Sequence, residues 1–379
     1  MDNTSQMLGE QFALGHAGSA DWRAAARAVA EQIGERDDDA LGFLYVTDHF
    51  APHLGDIATF LAGATGVLTW CGTVGIGICA TGTEYFDEPA IVAMTCTPPG
   101  AELTTFGGAD EAIAAYRDRG AGVQGSFAVV HGDPRQASLA EDVPRLAHGT
   151  DGFLVGALSS SRGAYGQLAA RPAEGAVSGV MMTGATVATG LSQGCQPLGG
   201  IHEVTQAEDN IVVELDGRPA MDVFVETLAE AGISDLRELA GSLHIALPIT
   251  GSDTGDYLVR NLVGIDPDNG VFAVGDTIHA GDALMFCRRD RDAAEHDLRR
   301  MLRSLKARAV RPLGGLYYSC LARGPGMFGE VGRELGIVRE ELGDVPLVGF
   351  FGNGEISFDR LYAYTGVLTL FTDPRDGTD

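Results

Sequence analysis

A segment near the N-terminal end of the chain has a counterpart near its C-terminal end. Residues 41–78 and 313–356 both begin with Leu-Gly and a β-prone apolar run, then continue through a loop into an apolar stripe at helical spacing. Each ends in a second apolar run that breaks at a Gly-x-x-Gly turn, at 72–75 and 349–352. Strand–helix–strand units favour parallel pairing through a crossover. The repeat predicts a mixed α/β (α+β) fold with two similar lobes, sheets flanked by helices, and a ligand cleft between the lobes.

The length of 379 residues favours two domains. A turn at 216–219, between a predicted strand and a predicted helix, is the natural boundary, giving domains at 19–216 and 217–372. Residues 1–18 and the polar tail 373–379 are expected to be loose. Helices are predicted from Ser19 onward and at 53–61, 221–231 and 290–305. Strands are predicted at 42–47, 67–70, 91–95, 125–130, 152–157, 179–183, 211–215, 243–249, 270–273, 315–319 and 345–351.

Charge and composition exclude several classes of function. The chain has 26 Lys and Arg against 52 Asp and Glu, a net charge of −26. Nucleic acids and anionic membrane surfaces require a basic footprint, so neither is an expected partner. No signal peptide or membrane-spanning stretch is visible, which predicts a cytoplasmic protein. The six cysteines are scattered without a C-x-x-C pair, so neither a zinc site nor a disulfide framework is expected.

The two glycine turns are the first candidates for a binding site. A glycine after a strand lets the backbone turn sharply and lets a ligand approach main-chain N–H groups. Tight turns that serve packing alone are the alternative interpretation. Neither turn has the spacing of a Rossmann or P-loop motif. The candidate residues at the two turns are Cys71, Gly72, Thr73, Asn353, Gly354 and Glu355.

A cysteine and an arginine follow the first strand of the C-terminal copy. Cys320 ends this predicted strand, three residues before Arg323 in a glycine-containing loop. A nearby guanidinium can lower the pKa of a thiol, which makes Cys320 a candidate ligand or nucleophile. The alternative is a small buried residue. Arg323 is a candidate clamp for a carboxylate.

A Gly- and Pro-dense segment at 190–202 holds further candidates. Cys195 and Gln196 lie in it, and Cys195 is a second possible nucleophile. His202 could ligate a metal or haem, although a hydrogen-bonded structural histidine is the alternative. Arg260 lies beside an apolar run and is a candidate for ligand binding, with a surface ion pair as the alternative.

Together these motifs resemble the FIST family, with an N-terminal FIST domain at 19–216 and a FIST C-terminal domain at 217–372. The resemblance covers residues 40–371 and rests on GLSQGCQPLGGIHEVT, YLVRNLVGIDPDNG, YYSCLARGPGMF and VPLVGFFGNGEI, in the order of the family. It implies a small-molecule sensory module for which amino acids have been suggested as ligands. For a subset of the family it implies a haem-binding nitric-oxide sensor that regulates a partner histidine kinase.

The resemblance also implies which positions form the site. Two departures from the family pattern are Ile76, at a position that is usually acidic, and Gly200, where proline is frequent. Because no kinase, cyclase or receiver sequence is recognisable, the output is expected to pass through a partner protein. The positions that match the family motifs are Gly72, Thr73, Cys195, Gln196, Cys320, Arg323, Gly354 and Glu355.

The leading hypothesis is a stand-alone cytoplasmic sensory protein, not an enzyme, that needs no cofactor. It would bind an amino-acid-like ligand between two lobes and signal through a partner such as a histidine kinase. Arg323 would hold the ligand carboxylate and Glu355 its ammonium group. The first alternative is a haem sensor with His202 as axial ligand. The second is a thiol-dependent enzyme with Cys320 or Cys195 as nucleophile, although no Cys–His–Asn spacing is recognisable.

Overall fold

The structure, a computed structural model, describes residues 11–37, 40–120, 125–233, 241–249, 255–309 and 311–373. Two compact units make up the chain, one from Met1–Ser192 with Asp297–Asp379 and the other from Gln193–His296. The second unit is therefore an insertion within the first along the chain. The loose ends predicted at residues 1–10 and 374–379 lie outside the described residues.

Strands account for most of the regular structure. In chain order they are β1 (Phe12–Gly18), β2 (Leu41–Thr47), β3 (Thr69–Gly75), β4 (Gly77–Ala80), β5 (Thr83–Phe86), β6 (Ala90–Cys96), β7 (Glu102–Phe106), β8 (Ser126–Gly132), β9 (Gly152–Leu158), β10 (Gln167–Ala169), β11 (Arg171–Ala173), β12 (Val177–Thr183), β13 (Val187–Gln193), β14 (Cys195–Glu208), β15 (Ile211–Leu215), β16 (Arg218–Pro219), β17 (Leu243–Pro248), β18 (Tyr257–Asp266), β19 (Val271–Val274), β20 (Ala283–Arg289), β21 (Pro312–Cys320), β22 (Leu347–Gly352), β23 (Glu355–Phe358), β24 (Arg360–Tyr362) and β25 (Thr365–Thr372).

Helices connect many of these strands. They are α1 (Trp22–Ile33), α2 (Leu54–Thr65), α3 (Ala109–Asp118), α4 (Leu139–Gly149), α5 (Ala220–Glu230), α6 (Arg291–Arg308), α7 (Gly324–Phe328) and α8 (Arg333–Leu342), with a 3-10 helix at Asp48–His53 before α2. None of the described helices is long and apolar enough to cross a bilayer.

The first unit contains three six-stranded sheets with one arrangement of strands. Each sheet has an edge strand, an antiparallel strand, a central strand, a parallel neighbour of that central strand, and a two-stranded hairpin. Sheet 1 is β1-β6-β2-β3-β10-β11, sheet 2 is β7-β12-β8-β9-β23-β24, and sheet 3 is β13-β25-β21-β22-β4-β5. The shared order means that one structural plan has been used three times.

Three sequential repeats of one chain path build these sheets. Repeat 1 runs from β1 to β6 and repeat 2 from β7 to β12. Repeat 3 comprises β13, α6 and β21 to β25, and the second unit is inserted after β13. Each hairpin joins the sheet of another repeat: β4–β5 joins sheet 3, β10–β11 joins sheet 1, and β23–β24 joins sheet 2. The prediction of a mixed fold with an internal repeat is confirmed, and repeat 2 is a copy that the sequence analysis does not identify.

A glycine at one position of each parallel pair supports the equivalence of the repeats. A Cβ atom on these glycines would lie 1.7, 1.8 and 1.6 Å from the carbonyl oxygen of the paired residue. No side chain fits at such a distance, so the close approach of the two strands requires glycine. In chain order the pairs are Leu44–Gly72, Val130–Gly156 and Tyr317–Gly349.

One apolar core joins the three sheets, and helices cover the other sheet faces. Side chains from all three repeats form this shared core. A second cluster packs α1 and α2 against sheet 1, and a third packs α3 and α4 against sheet 2. The helix predicted from Ser19 onward is α1, which begins at Trp22. Asp21 caps it by accepting from the Arg23 N–H, and its buried side chains run from Trp22 to Ile33.

Two local predictions need correction. The segment predicted to be loose at 1–18 contains β1, because Phe12–Gly18 pairs along its whole length with β6. The glycine turns at 72–75 and 349–352 are not turns but the final residues of β3 and β22, because parallel pairing with the central strand continues through them. The chain turns only afterwards, at Ile76 and at Asn353.

The second unit is an antiparallel sheet with one described helix. Its strand order is β14-β20-β17-β18-β19-β15-β16, and β14 also pairs with β15. This additional pairing closes the sheet on itself, which removes two exposed edges. The apolar face of α5 packs into the closed sheet around Phe224, Phe272 and Phe286.

Candidate functional site

The ends of β3, β9 and β22 meet at a junction of turns. Thr73 Oγ1 lies 2.6 Å from Ser159 Oγ, and Asn353 Nδ2 donates to the Ser159 carbonyl at 3.1 Å. Ser160 Oγ accepts from the Ile76 N–H at 2.8 Å. The two glycine-containing segments predicted to face each other are therefore close together. Serines of repeat 2, which the sequence analysis does not identify, join them.

The side-chain hydroxyl groups at this junction form hydrogen bonds with other groups of the protein. Thr73 Oγ1 also donates to the Gly166 carbonyl at 2.8 Å, and its side chain is fully buried. Cys71 is buried too, and burial raises the pKa of its thiol to about 12. Gly72 touches the backbone of β2, as described above. Among the junction residues, Asn353 alone is exposed. The junction thus fixes the three strand ends relative to one another.

A polar triad lies in the middle of the shared core. Tyr45, His131 and Tyr318 each follow the residue that pairs with the close-approach glycine, so they occupy equivalent positions of the three central strands. The Tyr45 hydroxyl is 2.7 Å from the Tyr318 hydroxyl and 3.2 Å from His131 Nε2. Burial lowers the pKa of His131 to about 3, so its ring is neutral at physiological pH.

Arg323 is fully buried at the start of α7 and is held by a carboxylate of α8. Its Nε donates to Glu334 Oε1 at 2.8 Å, and its Nη1 lies 3.5 Å from the Ser192 carbonyl. The guanidinium carbon is 5.2 Å from the ring centroid of Phe328. Burial alone would lower the pKa of Arg323, but the charge of Glu334 raises it overall. Arg323 therefore remains a cation inside the protein.

Glu334 receives two further hydrogen bonds from β21. The Tyr317 hydroxyl donates to Glu334 Oε1 at 2.7 Å, and Ser319 Oγ lies 3.0 and 3.1 Å from its two oxygens. Three donors thus compensate one buried carboxylate, which is the requirement for such a group to be tolerated.

Glu355 is a second buried carboxyl group in the same region. Its Oε2 accepts from the Thr365 N–H at 3.2 Å and from the Thr365 hydroxyl at 2.7 Å. Burial raises the pKa of Glu355 to about 8, against the opposing effects of the Thr365 hydrogen bonds and the charge of Arg323. At neutral pH the carboxyl group is therefore mainly protonated.

Cys320 lies beside these groups at the end of β21. Burial, followed by the charge of Glu355, raises the pKa of its thiol to about 12. The prediction that Arg323 activates this thiol is not supported, because the opposing effect of the guanidinium is smaller than that of burial. A thiol that stays protonated is a poor nucleophile. We refer to Ser192, Cys320, Arg323, Glu334 and Glu355 as the Arg323 cluster.

Three buried polar atoms of the Arg323 cluster lack a hydrogen-bond partner among the described residues. They are Arg323 Nη2, Ser192 Oγ and Glu355 Oε1. Leaving such an atom unpaired in a protein interior costs about 1–3 kcal/mol. The cluster combines a cationic donor, a hydroxyl and a carboxyl group, each with unused hydrogen-bonding capacity.

The remaining candidates belong to the second unit. Cys195 is buried in β14 and Gln196 is exposed beside it, with Oε1 3.5 Å from Arg288 Nη2. Arg260 Nε donates to Asp276 Oδ2 at 2.6 Å, which matches the ion-pair interpretation of this arginine. The structure therefore brings together the candidates of the first unit at two places, the junction and the Arg323 cluster. Cys195, Gln196 and Arg260 belong to the second unit.

His202 does not have the surroundings of a haem ligand. Its Nδ1 lies 2.7 Å from Asp216 Oδ2, its Nε2 lies 3.4 Å from Thr227 Oγ1, and its ring packs against Phe286. An axial ligand needs one ring nitrogen for the iron, and here each nitrogen already faces a polar partner. Within the described ranges, no group of three or more His, Cys, Asp or Glu side chains is arranged to hold a metal ion.

Sequence reasoning misses two members of the cluster. Ser192 lies within the Gly- and Pro-dense segment at 190–202. This segment indicated a site, but Cys195 and His202 were its more reactive residues. Glu334 precedes Leu335 of the predicted helical stripe, and nothing in the helical spacing separates it from an exposed glutamate. Its role is visible only once Arg323 is placed next to it.

Comparison with known proteins agrees with the motifs. Residues 40–218 match the FIST N domain and residues 220–357 match the FIST C domain. The chain therefore belongs to the FIST family, whose domains are regarded as sensory domains. The border between the two domains falls within the second unit. The FIST N match contains repeat 1 from β2 onward and all of repeat 2, and the FIST C match contains most of repeat 3.

The relatives found by sequence are mycobacterial. An uncharacterized protein of Mycobacterium tuberculosis is 33% identical over 208 residues, which cover 52% of this chain and 53% of the relative. An uncharacterized protein of Mycobacterium bovis is 31% identical over 206 residues, with the same shares. The chain spans about half the length of the curated relatives it matches, so these relatives support membership of the family and not a particular activity.

Proposed function

We propose that this protein is a cytoplasmic sensory protein that binds a small, amino-acid-like ligand at the Arg323 cluster and signals through a partner protein. The observation that carries the proposal is the set of unpaired buried atoms, Arg323 Nη2, Ser192 Oγ and Glu355 Oε1. The family supports the sensory role, whereas a histidine kinase as the partner rests on the family resemblance alone. No cofactor is part of the proposal.

The charge of the cluster narrows the class of ligand. At neutral pH the positive charge of Arg323 is balanced by Glu334, and Glu355 is mainly protonated. A ligand with net negative charge would leave that charge uncompensated in the interior, which is costly. A zwitterion or an uncharged polar molecule therefore fits better than a phosphate, a sulfate or a dicarboxylate. Arg323 Nη2 would bind the ligand's carboxylate or carbonyl group.

Binding of an ammonium group would be linked to proton release. An ammonium ion near Glu355 Oε1 favours the ionised carboxylate, so it lowers the pKa of Glu355. Because burial raises that pKa to about 8, binding near pH 7 would displace a proton into solvent. An uncharged ligand would leave the proton in place. Calorimetry in buffers with different ionisation enthalpies separates these two kinds of ligand.

The test is a thermal-shift screen of the full chain with the common amino acids and uncharged polar small molecules. We expect at least one to raise the melting temperature, and Ser192→Ala and Glu355→Gln to weaken that effect. Both substitutions nearly preserve the size of the side chain, and neither adds a charge. Gln196→Ala and Arg260→Ala in the second unit serve as controls and should bind normally. A ligand whose effect survives both cluster variants, or a screen without any stabilising compound, contradicts the proposal.

A further inference from the structure

The N-terminus of α8 is capped by a carboxylate from another repeat. Glu84 lies in β5, on the hairpin that repeat 1 contributes to sheet 3, and is buried. Its Oε1 accepts from the Leu335 N–H and its Oε2 from the Gly332 N–H, each at 2.9 Å. The residue at the N-cap position of α8 is Gly332, which has no side chain to do this. Glu84 therefore satisfies N–H groups that a helix start leaves unpaired.

These two hydrogen bonds flank Glu334, which lies between the two capped residues. Because the backbone is held on both sides of Glu334, the Cα atom from which its side chain extends is also held in place. The Glu334 carboxylate in turn accepts from Arg323 Nε, as well as from Tyr317 and Ser319. A continuous set of contacts thus runs from the β4–β5 hairpin through the start of α8 to Arg323.

The other two hairpins have no carboxylate at the position equivalent to Glu84. Glu84 pairs with Cys79 within its hairpin, and the corresponding pairs are Leu168–Pro172 and Ile356–Leu361. The equivalent positions are thus Pro172 and Leu361, so the hairpin fold itself does not require a carboxylate. The acidic residue is specific to the hairpin that faces α8.

Keeping a carboxylate at this position is costly. The pKa of Glu84 is raised to about 7, chiefly by burial and to a smaller extent by the nearby Glu334 carboxylate, against the opposing effect of the helix N–H groups. The Cys79 thiol on β4 is a neighbouring titratable group. An arrangement that costs stability, in one repeat of three, points to a role other than stability.

We propose that Glu84 is a positioning residue for the Arg323 cluster, which it links to the β4–β5 hairpin by holding the start of α8 and the Glu334 carboxylate in place. Loss of the Glu84 carboxylate should loosen the start of α8 and weaken the bond between Glu334 and Arg323. The expected effect of this loss on ligand affinity rests on the proposed function. The expected effects on α8 and on the Arg323–Glu334 bond do not depend on it.

Glu84→Ala and Glu84→Gln test this inference in the full chain. Glu111→Gln is the matched control, because Glu111 Oε2 also accepts a backbone N–H, that of Gly107, at 2.7 Å but in repeat 2. The first measurement is amide hydrogen exchange along α8. We expect Glu84→Ala to speed exchange at its first turn by about five-fold or more, the size expected for the loss of a helix cap, whereas Glu111→Gln should leave α8 unchanged.

The second measurement follows the Arg323 Nε–H signal by NMR, which reports its bond to Glu334. This signal should shift and exchange faster in both Glu84 variants, and Glu84→Asp, which keeps a carboxylate, should restore part of the protection. If Glu84→Ala does not fold, Glu84→Gln carries the same test. Unchanged exchange at α8 and an unchanged Arg323 signal would overturn the inference. Changes in both without any ligand in the thermal-shift screen would instead overturn only the proposed function.

Discussion

Repeats 1 and 3 follow the same backbone path but carry different side chains at matched positions. In the central strands, two residues are matched when they lie at the same distance along the strand from the residue that pairs with the close-approach glycine. In the hairpins, two residues are matched when they pair with equivalent residues of the sheet that the hairpin joins. The residues of repeat 1 are Leu44, Val46 and Ile78, and those of repeat 3 are Tyr317, Ser319 and Glu355. All six side chains are buried. Apolar residues therefore suffice for the architecture, and the polar set of repeat 3 requires another explanation.

We infer that the polar side chains of repeat 3 serve a binding site. Burying Arg323 and Glu334 removes two charges from water, and well-packed apolar residues would serve stability as well or better. Repeat 1 has buried apolar residues at the positions that match Tyr317, Ser319 and Glu355. The difference between the repeats therefore separates the side chains that the fold requires from those that require another explanation, and substitutions test this separation.

The largest effect is expected for Glu334→Ala. It leaves the buried Arg323 without its partner carboxylate, and breaking one side of a buried pair costs about 3–5 kcal/mol. The free energy of unfolding from urea titration measures the loss. The double variant Arg323→Met with Glu334→Leu should recover most of it, because an apolar pair leaves no buried charge uncompensated. A loss below about 1 kcal/mol for Glu334→Ala would show that this pair is not buried as described.

A loss of about 3 kcal/mol or more is expected for Gly72→Ala and for Gly349→Ala, because a new Cβ would overlap a carbonyl oxygen and force the paired strands apart. The distances to that oxygen are 1.7 and 1.6 Å. Gly55→Ala in α2 is the control, since nothing lies within 4 Å of its added Cβ. It should raise the free energy of unfolding by roughly 0.5–1 kcal/mol. If only one of the two close-approach glycines tolerates alanine, the repeats are not equivalent there.

These outcomes bear on how much the sequence alone can predict. The apolar runs of β2 and β21 and the stripe of α1 follow from local patterns, and these were predicted close to their observed bounds. Repeat 2 was missed as a unit because it has no recognisable copy of the Leu-Gly start or of the glycine turn. The hairpin exchange could not be predicted, since β4 pairs with β22 across most of the chain and local pattern contains no register over such a distance.

Local sequence pattern also fails to predict the roles of some single residues in the Arg323 cluster. The motifs point to Cys320, Arg323 and Glu355, and in the structure the neighbouring members of this set shift the pKa values of Cys320 and Glu355. Glu334 and Glu340 both lie in α8, yet one is buried beside Arg323 and the other is exposed. The helical spacing alone does not assign these roles, because the role of Glu334 depends on α7 and β21 packing against it.

A smaller effect is expected from pH, and it should be absent from the matched position of repeat 1. Burial raises the pKa of Glu355 from 4.5 to about 8. The native state therefore holds this proton more tightly than the unfolded state, so stability is greatest below pH 4.5 for this group and falls as pH rises toward 8. This contribution to stability is lost progressively as the pH rises through that window.

Glu355→Gln should flatten this part of the pH dependence, measured as urea unfolding at several pH values between 5 and 8.5. Glu84 contributes in the same direction, since its pKa is raised to about 7. The matched substitution Ile78→Val in repeat 1 should lower stability equally at every pH. A pH dependence that is identical in wild type and Glu355→Gln would mean that the carboxyl group is ionised at neutral pH, and the charge argument for a neutral ligand would then fail.

The smallest effect is expected at an exposed pair of the same chemistry within repeat 3. Arg303 Nη2 lies 3.1 Å from Glu341 Oε1, but 68% of the Arg303 side chain is exposed. Exposed ion pairs contribute about 0–1 kcal/mol, so Arg303→Ala should change the free energy of unfolding by less than about 0.5 kcal/mol, and less still in high salt. Arg323→Ala should cost several times as much. If Arg303→Ala and Arg323→Ala changed the free energy of unfolding equally, burial would not distinguish the Arg323 cluster from an exposed ion pair. The polar residues of repeat 3 would then differ from those of repeat 1 without any consequence for stability.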